Sequence, residues 1–280
     1  MWNKRNVIRA ATAIIVTLAG WLFVRFLFPS LDYFPPEKLI HNLERSWFIN
    51  SGMRKLTAVV YLTVALILMA VFFNSVQKHW PGRGSMKGLA FGASIGIVWS
   101  FGFLTGWAFL GTTLRAELLN IVVDLISLSV AGWLIGLAVG RDVPSPKQGM
   151  LKPWLAILLV AFGFVLVHTL GAMLLADNVP STIDLLLVPA TPTQIIVLSG
   201  LGLWVGVMYM VLREGLPFKN IYAQTAFFAF GVFGHSWIWF HLFFVIEFAN
   251  ILHTVLLVGL IGAIGVFAGA LIYERIAGWK

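Results

Sequence analysis

The chain has no cysteine and few charged residues. Of its 280 residues, 11% are charged and 60% are hydrophobic, whereas about a quarter of the residues in a soluble domain are charged. The absence of cysteine excludes disulfides, thiolate metal ligands and a cysteine nucleophile. The scarcity of charge, together with the apolar excess, indicates a polytopic membrane protein.

Several motifs that carry chemistry are also missing. The sequence contains no phosphate-binding GxxxxGK[ST] loop, no HExxH metal motif and no CxxCH haem motif. The net charge is +8, but the basic residues lie in short loops between apolar segments rather than in one patch. They are typical of membrane topology signals, and no nucleic-acid partner is expected. Whether the protein is an enzyme stays open, with a non-enzymatic role favoured.

Eight apolar segments are each long enough to cross a bilayer as a helix. Crossing a hydrocarbon core of about 30 Å takes around 20 mostly apolar residues, and the alternating pattern of a membrane β-barrel is absent. The predicted fold class is therefore all-α, a polytopic integral membrane protein with about eight transmembrane helices. The predicted spans are residues 10–28, 56–76, 88–110, 118–139, 153–175, 194–212, 221–243 and 248–273.

The basic residues predict the orientation of the spans. The N-terminal segment is basic and then apolar, but no A-x-A-like cleavage site precedes Arg25, so we expect a retained first span. With the N-terminus inside, 13 of the 19 lysines and arginines lie on the cytoplasmic side, and the long loop 176–193 on the other side has none. The positive-inside rule then predicts both termini in the cytoplasm. We expect the membrane to be a prokaryotic inner membrane.

A short internal match predicts two tandem four-helix repeats in the same orientation. Gly132 and Gly136 correspond to Gly265 and Gly269 at a constant offset of 133 residues, and proline-marked basic turns, KHWPGRG and LREGLPFKN, occur in both halves. A pseudo-twofold axis along the membrane normal would relate the halves. They are predicted at residues 1–146 and 147–280. Small residues at spacing four, as in these glycine pairs, also predict close helix packing.

Polar residues in the spans cluster toward one side of the predicted membrane. Charged groups near the bilayer centre are costly and usually face a cavity or pair with one another, so the pattern predicts an outward-facing polar pocket. An arginine near a helix end can instead snorkel, and a lone histidine can be satisfied by a carbonyl. The candidate pocket residues are Arg25, Asn120, Asp124, His168, His235, Asn250 and His253.

The repeat also predicts a centre for this pocket. His253 corresponds to Asn120 at the repeat offset, and Asp124 lies one turn beyond Asn120 on the same helix face. If the halves pack about a twofold axis, the face with Asn120 and Asp124 meets the face with Asn250 and His253.

The remaining two polar residues of this region are interpreted mainly as interfacial. His241 and Glu247 are expected near the lipid headgroups. His235 and His241 are six residues apart, about 240° around a helix, so they cannot both point into one pocket from a regular helix.

The ligand of the pocket stays open between several classes. His168, His235 and His253 are candidate metal ligands, because imidazole binds zinc, copper, iron or haem. The 12 tryptophans and 23 phenylalanines are typical of interfacial belts, but they would also suit a flat or apolar ligand. Haem, a metal ion, a quinone and a lipid are all retained.

The favoured function is a non-catalytic accessory or anchoring subunit of a larger membrane assembly. Its partners would be the lipid bilayer and either other membrane subunits or further copies of itself. A secondary transporter or permease for a small solute or ion is the alternative; unbroken spans and apolar inner halves disfavour it, while the duplicated architecture keeps it open. A haem- or metal-binding redox subunit is the third reading.

Overall fold

The computed structural model describes residues 4–27, 44–110, 112–144, 152–176 and 191–277. Within these ranges, eight helices are long and apolar enough to cross a membrane, which confirms the all-α, polytopic fold class. Within the described residues 44–53, a short helix, Trp47–Asn50, precedes the second span. The eight spans, in chain order, are Lys4–Leu27, Arg54–Val76, Gly84–Leu110, Leu114–Val139, Pro153–Ala176, Pro192–Leu212, Ile221–Glu247 and Leu252–Ala277.

Polar residues cap the starts of the sixth and seventh spans. Thr191 accepts a hydrogen bond from the backbone N–H of Gln194, and the Gln194 side chain accepts one from the Thr191 N–H at 2.9 Å. This capping box, followed by Pro192, starts the sixth span. Asn220 caps the seventh span by accepting from Tyr222 N at 2.8 Å.

Because the number of spans is even, the first described residue and the last lie at the same end of the bundle. Lys4 and Ala277 lie at one end, here called the Lys4 end, and Arg54 and Glu247 lie at the other, the Glu247 end. Which end faces the cytoplasm stays a prediction from the basic residues, as does the kind of membrane.

Neighbouring spans follow the order first, fourth, third, sixth, fifth, eighth, seventh and second, and the second span returns to the first. The third and seventh spans also contact each other across the middle of the bundle. The core between them is strongly aromatic, with Phe91, Phe164, Phe228, Phe233 and Trp237 almost fully buried. The ring of spans therefore encloses packed side chains in its middle. A cavity lies toward one end of the bundle.

Neighbouring spans pack backbone to backbone at glycines in several places. A Cβ on Gly88 of the third span would lie 2.2 Å from the carbonyl oxygen of Gly132 in the fourth. A Cβ on Gly269 of the eighth span would lie 2.3 Å from the carbonyl oxygen of Leu159 in the fifth. Because no side chain fits at such distances, the glycines set the separation of these helices, as their spacing predicts.

The tandem repeat stays a prediction. The ring of spans reads the same when every span is replaced by the one four places later, which is compatible with a pseudo-twofold axis. The matched glycines, however, are not in equivalent contacts. Gly132 and Gly136 pack against the third span, whereas Gly265 and Gly269 pack against the fifth.

The seventh span is continuous but is not a regular α-helix. It is α-helical over Ile221–Ala226, π-helical over Phe227–Phe233 and α-helical again over Gly234–Glu247. The Gly234 N–H donates to the carbonyl of Ala229, five residues earlier. Phe227, at the start of the π-helical segment, packs against Phe72 of the second span with ring centroids 5.8 Å apart. π-Helical insertions are frequent at functional sites.

Candidate functional site

A cavity of about 440 Å³ opens at the Glu247 end, between the first, second, third, fourth and seventh spans. Its charged residues come from several spans, and its deeper wall is mainly aromatic. The charged lining consists of Arg25, Arg54, Lys55, Glu117, Asp124 and Glu247. The aromatic lining consists of Trp21, Phe26, Tyr61, Trp99, Phe103, Phe240, Phe243, Phe244 and Phe248.

The first and fourth spans meet in this cavity through a cluster built on Asp124. Trp21 Nε1 donates to Asp124 Oδ1 at 3.0 Å, and Arg25 Nη2 lies 3.6 Å from the same oxygen. Arg25 also donates to Asn120 Oδ1 at 3.4 Å and stacks over the Trp21 ring at 4.4 Å. The structure thus brings together three of the predicted pocket residues. Their one-turn spacings, Trp21 to Arg25 and Asn120 to Asp124, place each pair on one helix face.

Glu247 forms a second buried ion pair in the cavity wall. Arg54 Nε donates to Glu247 Oε1 at 2.8 Å, and Glu247 is only 2% exposed. Its other oxygen, Oε2, has no hydrogen-bond partner among the described residues. Glu247 is therefore buried in the cavity wall, and its location near the lipid headgroups stays a prediction.

The segment before the second span folds over the turn between the seventh and eighth spans, where Ser46 N donates to the Glu247 carbonyl at 3.0 Å. Arg45 and Phe248 form an antiparallel bridge beside it. This segment therefore covers the backbone of the turn that follows Glu247.

Reciprocal hydrogen bonds hold the aromatic wall between the second and seventh spans. The Tyr61 hydroxyl donates to the Trp239 carbonyl at 2.5 Å, while Trp239 Nε1 donates to the Tyr61 carbonyl at 3.2 Å. Their rings stack with centroids 5.3 Å apart, and Phe243 meets Tyr61 edge-on. Aromatic residues at this end are therefore part of a cavity as well as of an interfacial belt.

Two histidines lie apart from this cavity, in a small pocket of about 30 Å³. His168 is 2% exposed and stacks on Phe164, and its Nδ1 has no partner among the described residues. His241 is also buried, with Nδ1 2.8 Å from the Trp237 carbonyl. The ring of His241 thus faces the fifth and eighth spans, and its depth near the lipid headgroups stays a prediction.

His235 occupies a third place. Its ring stacks on Phe72 with centroids 4.8 Å apart, and Nδ1 lies 3.0 Å from the Val232 carbonyl. It thus points toward the second span, away from His241, as the six-residue spacing predicts.

The predicted meeting of the faces with Asn120 and His253 does not occur. Asn250 is exposed in the turn before the eighth span, with φ of 60°, and His253 is exposed in the first turn of that span. The eighth span packs mainly on the fifth and seventh, while the fourth packs mainly on the third and first. The two faces are separated by the order of the helices in the ring.

The candidate metal ligands are also separated from one another in the bundle. The candidate ligands His168, His235 and His253 lie in three different places. In the part of the chain that the structure describes, no group of three histidine, aspartate or glutamate side chains could hold a metal ion. The described residues therefore give no support to a metal-binding role.

Sequence reasoning overlooked a polar cluster at the Lys4 end. Arg213 donates to both carboxylate oxygens of Glu274, at 2.5 and 2.8 Å, and the Tyr209 hydroxyl donates to Glu274 Oε1 at 2.5 Å. Glu274 is fully buried, so the expectation of apolar inner halves is wrong. The available signal was a glutamate in the last turns of an otherwise apolar span, LIYERI.

A serine motif in the third span has a structural explanation. Residues 92–96 read GASIG, which matches the GxSxG pattern of hydrolases, but they lie within a regular helix instead of at a strand-to-helix turn. Gly92 and Gly96 pack against the fourth span. The pattern therefore reflects helix packing.

Comparison of the chain with protein-family models, with curated proteins and with solved structures finds no match. The cavity and the residues around it are the features that indicate a function.

Proposed function

We propose that this membrane protein binds one amphiphilic molecule, a lipid or a lipid-like quinone, in the cavity at the Glu247 end. The supporting observation is a cavity with charged groups toward its end and aromatic rings along its wall. Its volume of about 440 Å³ lies in the usual range for ligand sites, roughly 300–1,000 Å³. A polar head would meet the charged residues, and an apolar body would meet the rings.

The lipid-facing surface is continuous with this cavity. Leu22 and Phe26 line the cavity, yet they are 44% and 80% exposed on the outside of the first span. An apolar chain leaving the cavity beside these side chains would remain in hydrocarbon. This feature favours a molecule supplied by the bilayer over a small hydrophilic solute.

In this proposal the protein acts as a non-catalytic accessory or anchoring subunit, and the bound amphiphile stabilises it within a larger membrane assembly. With both termini in the cytoplasm, as the basic residues predict, the cavity faces outward. A protein that runs as a lone monomer after mild solubilisation and catalyses uptake in liposomes would contradict the accessory role.

Transport of the amphiphile is a second candidate, favoured by the π-helical segment Phe227–Phe233. The same span carries Phe240 and Phe243 of the cavity wall. A change between π- and α-helical turns would rotate these rings relative to the rest of the bundle. Uptake of a labelled lipid by proteoliposomes, compared with protein-free liposomes, tests this candidate.

Filling the cavity tests the binding proposal. Ala58 lines the cavity, and Val60, two residues on in the same span, is 56% exposed. We expect Ala58→Phe to abolish co-purification of an amphiphile, whereas Val60→Phe retains about one molecule per protein, measured by mass spectrometry of extracted lipids. Equal lipid content in both variants, with both folded by circular dichroism, would contradict the proposal.

A further inference from the structure

The cavity wall contains a buried carboxylate without an ion-pair partner in the described part of the chain. Glu117, in the first turn of the fourth span, is 9% exposed and lines the cavity. Its Oε1 lies 3.6 Å from the place that a Cβ on Gly106 would occupy, and the Thr112 hydroxyl lies beside it. A carboxylate removed from water is costly unless a cation, a proton or several donors compensate it.

Three basic side chains line the cavity, Arg25, Arg54 and Lys55, and two of them pair with acids other than Glu117. Arg25 pairs with Asp124, and Arg54 pairs with Glu247. No ion pair joins a lysine or arginine to Glu117 among the residues described. A cationic group of a ligand would provide Glu117 with the ion-pair partner that the described side chains do not provide.

Three further buried polar atoms in the same wall, on Trp99, Thr112 and Glu247, have no hydrogen-bond partner among the described residues. Trp99 Nε1 is a buried donor on a side chain only 5% exposed, and Glu247 Oε2 is a buried acceptor. All three side chains line the cavity. Since buried polar atoms are usually hydrogen-bonded, these atoms indicate a ligand head that both donates and accepts hydrogen bonds.

The surroundings favour an ammonium group as the donor. Aromatic rings attract ammonium groups, by about 0.5–2 kcal/mol depending on desolvation, and Tyr61, Trp99 and Phe243 line this cavity. Three acidic side chains balance three basic side chains in the lining. A neutral total charge suits a zwitterionic head better than a purely anionic one.

We propose that the polar end of the bound amphiphile carries an ammonium group, primary or quaternary, held beside Glu117 and the aromatic wall. This inference rests on the amphiphile-binding function proposed above and names the class of its ligand. Two sources share this chemistry: a zwitterionic lipid, which adds a phosphate for the Trp99 donor and the arginines, and a lipophilic amine, which does not.

Three probes with the same brominated alkyl chain and different heads test the inference. The heads are phosphocholine, trimethylammonium and phosphoglycerol, and binding to the detergent-purified protein is followed by quenching of tryptophan fluorescence. Trp21 and Trp99 line the cavity, so a bound brominated chain lies near them. We expect the phosphocholine probe to bind at least about tenfold more tightly than phosphoglycerol, which corresponds to about 1.4 kcal/mol.

Substitutions at Glu117 provide the decisive comparison. Glu117→Gln should reduce the preference for the ammonium heads to less than about threefold, while Glu117→Asp, which keeps the charge, should retain most of it. Glu214→Gln, an exposed acid at the Lys4 end, is the matched control and should leave the preference unchanged.

The outcomes separate the two proposals. If no probe binds, the amphiphile-binding function itself fails. If all three probes bind equally to the unmodified protein, or if the preference survives in Glu117→Gln, the ammonium inference fails while the binding function stands. Equal binding of the trimethylammonium and phosphocholine probes, both above phosphoglycerol, supports the inference with a lipophilic amine as the ligand. Stronger binding of phosphocholine than of either other probe supports it with a zwitterionic lipid.

Discussion

Substitution of Gly88 by alanine should destabilise the bundle, although the change adds only one methyl group. The Cβ of the new side chain would lie 2.2 Å from the Gly132 carbonyl oxygen and 2.6 Å from the Gly136 Cα. Ordinary contacts begin near 3.4 Å, so the third and fourth spans must separate locally by 3.4 − 2.2, about 1.2 Å. Such a gap forfeits a substantial part of the dispersion energy along the seam.

The magnitude follows from overpacking in close-packed interiors. Small-to-large substitutions of this kind typically cost about 1–3 kcal/mol, and the nearest atoms here belong to backbone, which cannot rotate away. The matched control is Gly20→Ala, in the first span, where a Cβ meets nothing within 4 Å. Alanine forms helix more readily than glycine by up to about 1 kcal/mol, so Gly20→Ala should be neutral or slightly stabilising.

The assay is unfolding of the purified protein in mixed micelles with increasing mole fraction of sodium dodecyl sulfate, followed by far-ultraviolet circular dichroism. We expect Gly88→Ala to unfold at a lower fraction than the unmodified protein, with a free energy of unfolding reduced by at least about 1 kcal/mol. Unfolding of Gly88→Ala at the same point as Gly20→Ala would refute the backbone contact at this seam.

Two further predictions concern the Lys4 end and the orientation. Glu274→Leu removes the buried carboxylate that pairs with the Arg213 guanidinium, and it should lower the free energy of unfolding by about 3–5 kcal/mol in the same assay. The control Glu214→Gln, at an exposed position, should change the free energy of unfolding by less than about 0.5 kcal/mol. Equal effects of the two substitutions would argue against the buried network. Because the chain has no cysteine, single cysteines at exposed Trp47 and Lys219 report the two ends. A membrane-impermeant maleimide should label Trp47→Cys in intact spheroplasts and Lys219→Cys only after lysis, and the reverse pattern would overturn the cytoplasmic placement of the termini.

Part of the candidate site could be predicted from local information. Arg25 lies near the end of an apolar span, and Asn120 and Asp124 stand one turn apart in another. The cost of burying such groups requires partners, and the structure supplies them from one another. The position of a residue along a span and the helix face that it occupies both follow from nearby residues in the sequence. This cluster could therefore be predicted from the sequence.

The rest of the cavity was not accessible in this way. Glu117 and Arg54 lie at helix starts, where sequence alone gives them ordinary headgroup positions. The burial of Glu117 and the pairing of Arg54 with Glu247 depend on which spans adjoin. The wrong placement of His253 has the same origin, because its helix neighbours were inferred from a repeat offset and not from packing.

The amino-acid sequence by itself determined the eight apolar spans and the glycine positions where helices pack closely. Both follow from the transfer of side chains into hydrocarbon and from the absence of a Cβ, which are properties of single residues and short segments. Only the tertiary structure decided which spans are neighbours, that Glu247 is buried, and that charged and aromatic residues from five spans enclose one cavity. Helices in a bilayer are apolar around most of their circumference, so hydropathy carries little information about which face meets which partner, and close packing decides it instead.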